Sequence, residues 1–160
     1  MAKEENSVLL IYEVVKESLV AQQAQKNSLE TNASTLIAFA GGMFALLMGS
    51  REALLLLSRV SQVLILISIS SFALSVVLSN VVTWIRRYRV DPDPEGLAEN
   101  YLHLPLEETK LQLVSNLIGT WKSNKDLLER NANYLRLAFL CQAIAFVLLG
   151  VSLFLSVMGG

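Results

Sequence analysis

Three stretches of this chain contain no Asp, Glu, Lys or Arg: Thr31 to Ser50, Val60 to Ile85 and Leu137 to Gly160. A helix rises about 1.5 Å per residue and needs about 20 apolar residues to cross a hydrocarbon core of about 30 Å. Spans over residues 62–84 and 137–158 reach that length unaided, and one over 33–50 reaches it with Thr31 and Asn32 at headgroup level. Three buried helices of a soluble bundle would each keep a polar face, and these stretches lack one. The chain's 53% hydrophobic and 17% charged composition agrees, being more apolar than an ordinary soluble domain. The fold class expected is all-α, a membrane protein with three transmembrane helices and a cytoplasmic helical bundle. It is expected to be one domain over residues 1–160.

Orientation follows from the lysines and arginines in the loops, which concentrate on the cytoplasmic side. Arg86, Arg87, Arg89, Lys110, Lys122, Lys125, Arg130 and Arg136 lie between the second and third spans. Lys3, Lys16 and Lys26 precede the first span, and only Arg51 and Arg59 lie in the first hairpin. The N-terminus and the central region are therefore expected in the cytoplasm. Met1 to Asn6 holds two adjacent glutamates and no secretory signal pattern, so the chain is expected to stay intact in the bilayer.

Outside the spans the pattern is amphipathic. Val8, Ile11, Tyr12, Val15 and Leu19 recur at helical spacing, which predicts a cytoplasmic helix over 4–32 that runs into the first span without a proline or glycine. The segment around Arg51, Ser58, Arg59 and Gln62 is expected to start the second helix at the interface, and Trp84 and Tyr88 fit an aromatic belt at its other end. Asp-Pro-Asp-Pro at residues 91–94 breaks the helix, giving a loop over 90–104. A second amphipathic helix over 105–136 carries Leu117, Trp121, Asn124, Leu128 and Asn131 at spacings of three and four. That is a coiled-coil-like oligomer seam whose buried asparagines fix register or partner number.

Candidate chemistry is sparse. His103 is the only histidine and Cys141 the only cysteine, so neither a His/Cys metal site nor an intramolecular disulfide is expected. Nothing resembles a phosphate-cradling glycine loop or a nucleophilic triad, and the chain is expected not to be an enzyme and to need no cofactor. Gly41, Ala45 and Gly49 form a small-residue track suited to close helix packing, within the chain or between subunits. Arg86, Arg87 and Arg89 suit contact with lipid phosphate, or with a ligand phosphate. At about 100° per residue, Ser61, Ser68, Ser71, Ser75 and Ser79 share an arc of about 80° on the second span. Such a hydroxyl face serves either as a helix-packing seam or as a pore lining.

The stretches LETNASTLIAFAGGMFALL, RRYRVDPDPEGLAENY and ETKLQLVSNLIGTWKSNKDLLERNANYLRLAF, in that order, resemble the small bacterial membrane effectors of nucleotide-signalled antiphage defence. The closest pattern is the Pycsar-type transmembrane effector domain, with a SLATT-like layout. The resemblance implies a multi-pass protein of the bacterial inner membrane, N-terminus cytoplasmic, that oligomerises on a cyclic nucleotide signal and disrupts that membrane. The partners it implies are membrane lipid, further copies of this chain, and a cyclic nucleotide or partner protein, with no nucleic acid. A small oligomeric ion channel and a membrane adaptor binding through its cytoplasmic helices are the alternatives.

Overall fold

The computed structural model describes residues 2–50, 52, 54, 57–84, 88, 89 and 105–158, with side chains from Leu9 onward except those of residues 106 and 107. The expected loop at 90–104 lies outside the described residues. Helix α1 runs Ala2–Gly49, α2 Arg59–Thr83 and α3 Leu106–Met158, and among the described residues there is no strand. All three helices contain stretches long and apolar enough to cross a membrane.

The long helices join segments of different character without a break. Gly41-Gly42 lies within α1 and bears no interruption, since intrahelical hydrogen bonding outweighs a propensity cost of about 1 kcal/mol per glycine. α2 departs from expectation at its entry. Ser58 is extended (ψ 153°), and its hydroxyl accepts the Ser61 backbone N–H, so the helix starts at a cap and does not continue back through the hairpin. At the other end the Trp84 N–H donates to the Asn80 carbonyl, one residue past the last helical position.

The chain sorts into two compact units, Met1–Ser28 with Arg86–Arg130, and Leu29–Ile85 with Asn131–Gly160. In the second unit the buried positions of α2 are Ser61, Ile65, Ser68, Phe72, Ser75, Ser79 and Val82, alternating four and three residues apart. The facing stripe of α3 is Asn131, Leu135, Ala138, Gln142, Ala145, Leu149 and Ser152, and that of α1 includes Leu29, Ala33, Leu36, Ala40 and Leu47. A repeat averaging 3.5 residues keeps one seam facing its neighbours along the whole helix, as in a coiled coil. One layer holds Ala40, Phe72 and Ala145 and the next Leu47, Ile65 and Leu149. Numbers rise together on α1 and α3 and fall on α2, so within this unit α1 and α3 are parallel and α2 antiparallel to both.

Polarity in this unit is the reverse of a water-soluble bundle. Ser61, Ser68, Ser75, Ser79, Gln142 and Ser152 are buried, while Leu66, Leu74, Val77, Leu140, Val147 and Phe154 are each more than half exposed. Large aromatics fill what the small seam residues leave. Phe72 sits between two alanines, its ring edge-on to Phe146 with centroids 5.4 Å apart and tilted against Phe44 at 6.4 Å. Removing a fully buried aromatic leaves a cavity as well as losing transfer energy. Phe72→Ala is therefore expected to destabilise the fold by about 3 kcal/mol or more, read from reversible unfolding in mixed micelles.

Candidate functional site: a polar seam and an asparagine clasp

The serine face of α2 meets α3. Ser68 Oγ donates to the Ala145 carbonyl at 2.7 Å, and Ser75 Oγ to Gln142 Oε1 at 3.3 Å. Ser61 and Ser152 bond reciprocally: each hydroxyl donates to the other's carbonyl, at 3.4 and 3.0 Å. Ser58 Oγ extends this relay by donating to Ser61 Oγ at 3.1 Å. A helix interior leaves each carbonyl one spare lone pair, and a short hydroxyl on the facing helix reaches it when the backbones approach closely. Ser71, at the edge of the arc, is half-buried. The hydroxyl of Ser79 is buried with no hydrogen-bond partner.

Gln142 and Ser152 are members of this seam that the serine arc alone does not reveal. Their signal in the sequence is position: two polar residues ten apart on the seam face of α3, in an uncharged stretch whose other hydroxyl is Ser156. The small-residue track behaves differently. Gly41, Ala45 and Gly49 are exposed, and a Cβ added at Gly41 or Gly49 meets nothing within 4 Å. Packing of α1 within the unit uses the adjacent stripe of Leu36, Ala40 and Leu47.

In the first unit the seam residues of α3 are interior: Leu117 is 2% exposed, Leu128 1% and Asn124 0%. Trp121 is half-buried, with Lys125 Nζ 5.5 Å from its ring centroid and Lys125 also 3.9 Å from Glu129. From α1, Gln22 Nε2 donates to the Trp121 carbonyl at 3.0 Å, while its buried Oε1 has no partner. Ser18, Gln22 and Gln25 of α1 and Trp121, Lys125 and Glu129 of α3 line a groove of about 370 Å³. Asn131, the second seam asparagine, is buried in the other unit.

Asn124 uses both ends of its amide on one residue. Its Oδ1 accepts the Arg89 N–H at 3.0 Å, and its Nδ2 donates to the Arg89 carbonyl at 2.9 Å. This is the pairing a neighbouring β-strand would provide, made here by a side chain. It holds the chain beyond α2 against α3 and leaves the Arg89 side chain exposed. Lys26 Nζ lies 5.7 Å from the Tyr88 ring centroid, a second contact on the same segment. Burial pushes the Tyr88 phenol above its ordinary value. Arg86 and Arg87 lie outside the described residues. Among the described residues no group of three His, Cys, Asp or Glu side chains suits a metal ion.

No family model, no curated protein and no solved structure matches this chain.

Two substitutions separate satisfied from unsatisfied hydroxyls. Ser68→Ala should cost about 0.5–1.5 kcal/mol through the lost bond, whereas Ser79→Ala should be neutral or stabilising, because it removes a desolvated group that has no partner. Micelle unfolding curves of the two variants give the comparison. Asn124→Leu leaves the Arg89 N–H and carbonyl unpaired, at about 1–3 kcal/mol. Its signature should be faster hydrogen exchange at the Arg89 amide, with little change at amides in the middle of α2.

Proposed function

We propose that this chain is a multi-pass protein of the bacterial inner membrane and an effector that perturbs that membrane in nucleotide-signalled antiphage defence. The observation that carries the membrane reading is the reversed polarity of the second unit, with serines and glutamine inside and Val, Leu and Phe outside. Soluble monomers keep contiguous exposed apolar area to a few hundred Å², and a surface lined on all three helices by exposed Val, Leu and Phe is unsuited to water. In lipid it costs nothing, and the buried hydroxyls become the cohesive element. The outward apolar residues of α2 run from Val60 to Val81, a rise of about 32 Å, which matches a hydrocarbon core of about 30 Å.

The effector reading is supported by the order of the three quoted stretches and their resemblance to that class of protein. Lysines and arginines gathered in the first unit favour the cytoplasm for it, where a soluble signal arrives. A constitutive channel lined by the serine face has less support, because those hydroxyls lie against α3. An adaptor seam at Leu117 and Leu128 has less as well, since both side chains are interior.

Two measurements test this. Alkaline phosphatase fused after Met158 should be active and the same enzyme fused after Arg130 inactive, and Leu74→Arg should impair insertion, at about 2.5–3.5 kcal/mol for a charge near mid-span. The reverse fusion pattern would overturn the topology. Expression beside a cyclic-nucleotide synthase should arrest growth and collapse the membrane potential, read with a voltage-sensitive dye. Normal growth with an intact potential under each synthase tried would count against the effector role.

A further inference from the structure

The groove between α1 and α3 in the first unit has in its wall a buried polar group that the chain satisfies only by half. Gln22 is 7% exposed, its Nε2 is spent on the Trp121 carbonyl, and its buried Oε1 has no partner. The amide cannot turn over to cure this, because Oε1 would then face the Trp121 carbonyl, acceptor against acceptor. A buried acceptor left unpaired is costly, so a donor entering the groove supplies what the fold forgoes. At about 370 Å³ the groove falls in the size range of small-molecule sites.

The rest of the lining selects the charge of that donor. Trp121 offers an indole ring and Glu129 a carboxylate, and both attract cations. Lys125 already serves the two of them, its Nζ lying 5.5 Å from the Trp121 ring centroid and 3.9 Å from Glu129 Oε1. Both contacts are weak, because the Lys125 side chain is 51% exposed and that of Glu129 65%. An incoming anion would have to strip Lys125 from both and would then meet the Glu129 carboxylate. An incoming cation inherits both contacts and releases Lys125 to water. Leu128 and Ala21 complete the lining with apolar surface for a short hydrocarbon stem.

We propose that this groove binds a small organic ammonium ion, a primary or secondary amine whose N–H donates to Gln22 Oε1 while its charge replaces that of Lys125 beside Trp121 and Glu129. Lys125 is then a resident competitor that sets how tightly the amine is held. A quaternary ammonium has the charge and no N–H, so it leaves Gln22 unsatisfied. The site lies wholly within the first unit and does not depend on the effector reading.

The experiment uses the full chain in nanodiscs with Trp84→Phe, which leaves Trp121 as the only tryptophan. Its fluorescence should change saturably with butylammonium and with putrescine, and calorimetric titration should give the same affinities. Tetramethylammonium should bind about tenfold more weakly than butylammonium, and Gln22→Leu should weaken butylammonium by about the same factor. Glu129→Gln, at an exposed position, should weaken it about threefold. Lys125→Ala should tighten it about fivefold, because the competing ammonium is gone.

No saturable response to either amine would overturn the proposal, as would an affinity unmoved by both Gln22→Leu and Lys125→Ala. An equal response to butanol or to tetramethylammonium would reduce the groove to an apolar cleft or a bare charge site and overturn it too. Binding of cyclic AMP or inorganic phosphate that Lys125→Ala abolishes would show a site for anions, with the same consequence. None of these readouts depends on growth arrest or membrane potential, so the effector reading can fall with the amine site standing, and the reverse.

Discussion

Hydroxyl donation from α2 to the backbone of α3 is the interaction on which the second unit depends. On the membrane reading proposed above, lipid around the unit removes the usual reason for helices to associate, because outward and inward environments are then equally apolar. What remains is close packing and polar contact, and both need small side chains at the seam. Ser68 reaching the Ala145 carbonyl requires two backbones near enough for a one-carbon side chain to bridge them. Each such bond also fixes register, since a shift of one residue turns the donor away from its acceptor.

The layers built around that seam follow from it. With serine and alanine at the contact between α2 and α3, volume must come from elsewhere, and Phe72, Phe44, Phe39 and Phe146 supply it in a chain of ring contacts. The unit alternates thin polar contacts and thick aromatic ones. The first unit solves the same problem with amides. Gln22 and Asn124 each bond to backbone groups of other segments, to Trp121 and Arg89, and so tie elements together without requiring a matching side chain.

Much of this was legible in the sequence and some was not, for identifiable reasons. The charge gaps set the helices, because the exclusion of Asp, Glu, Lys and Arg over the whole of a membrane-length stretch has few other readings. The arc of Ser61, Ser68, Ser75 and Ser79 marked a contact face, but its partner stayed hidden: Ala145 contributes a carbonyl, which every residue has. The Gly41, Ala45, Gly49 track and the Ala33, Leu36, Ala40, Leu47 stripe have equally regular helical spacing, so periodicity alone does not choose between them, and burial falls on the one with side chains to bury. Asn124 was recognisable as a seam residue requiring a polar partner. That the partner would be the backbone of Arg89, 35 positions earlier, has no signature in side-chain pattern.

The clasp separates what is specified from what is free. Asn124 grips only main-chain atoms, so the side chain at position 89 plays no part in the grip and any residue with a backbone N–H can occupy it. Proline is the one natural residue that cannot. Position 124 has no such latitude, because only a primary amide of that length presents a donor and an acceptor side by side at one buried point. Over evolutionary drift the two halves of one contact should therefore diverge at different speeds, the charge at 89 following whatever surface it faces while the amide at 124 stays put.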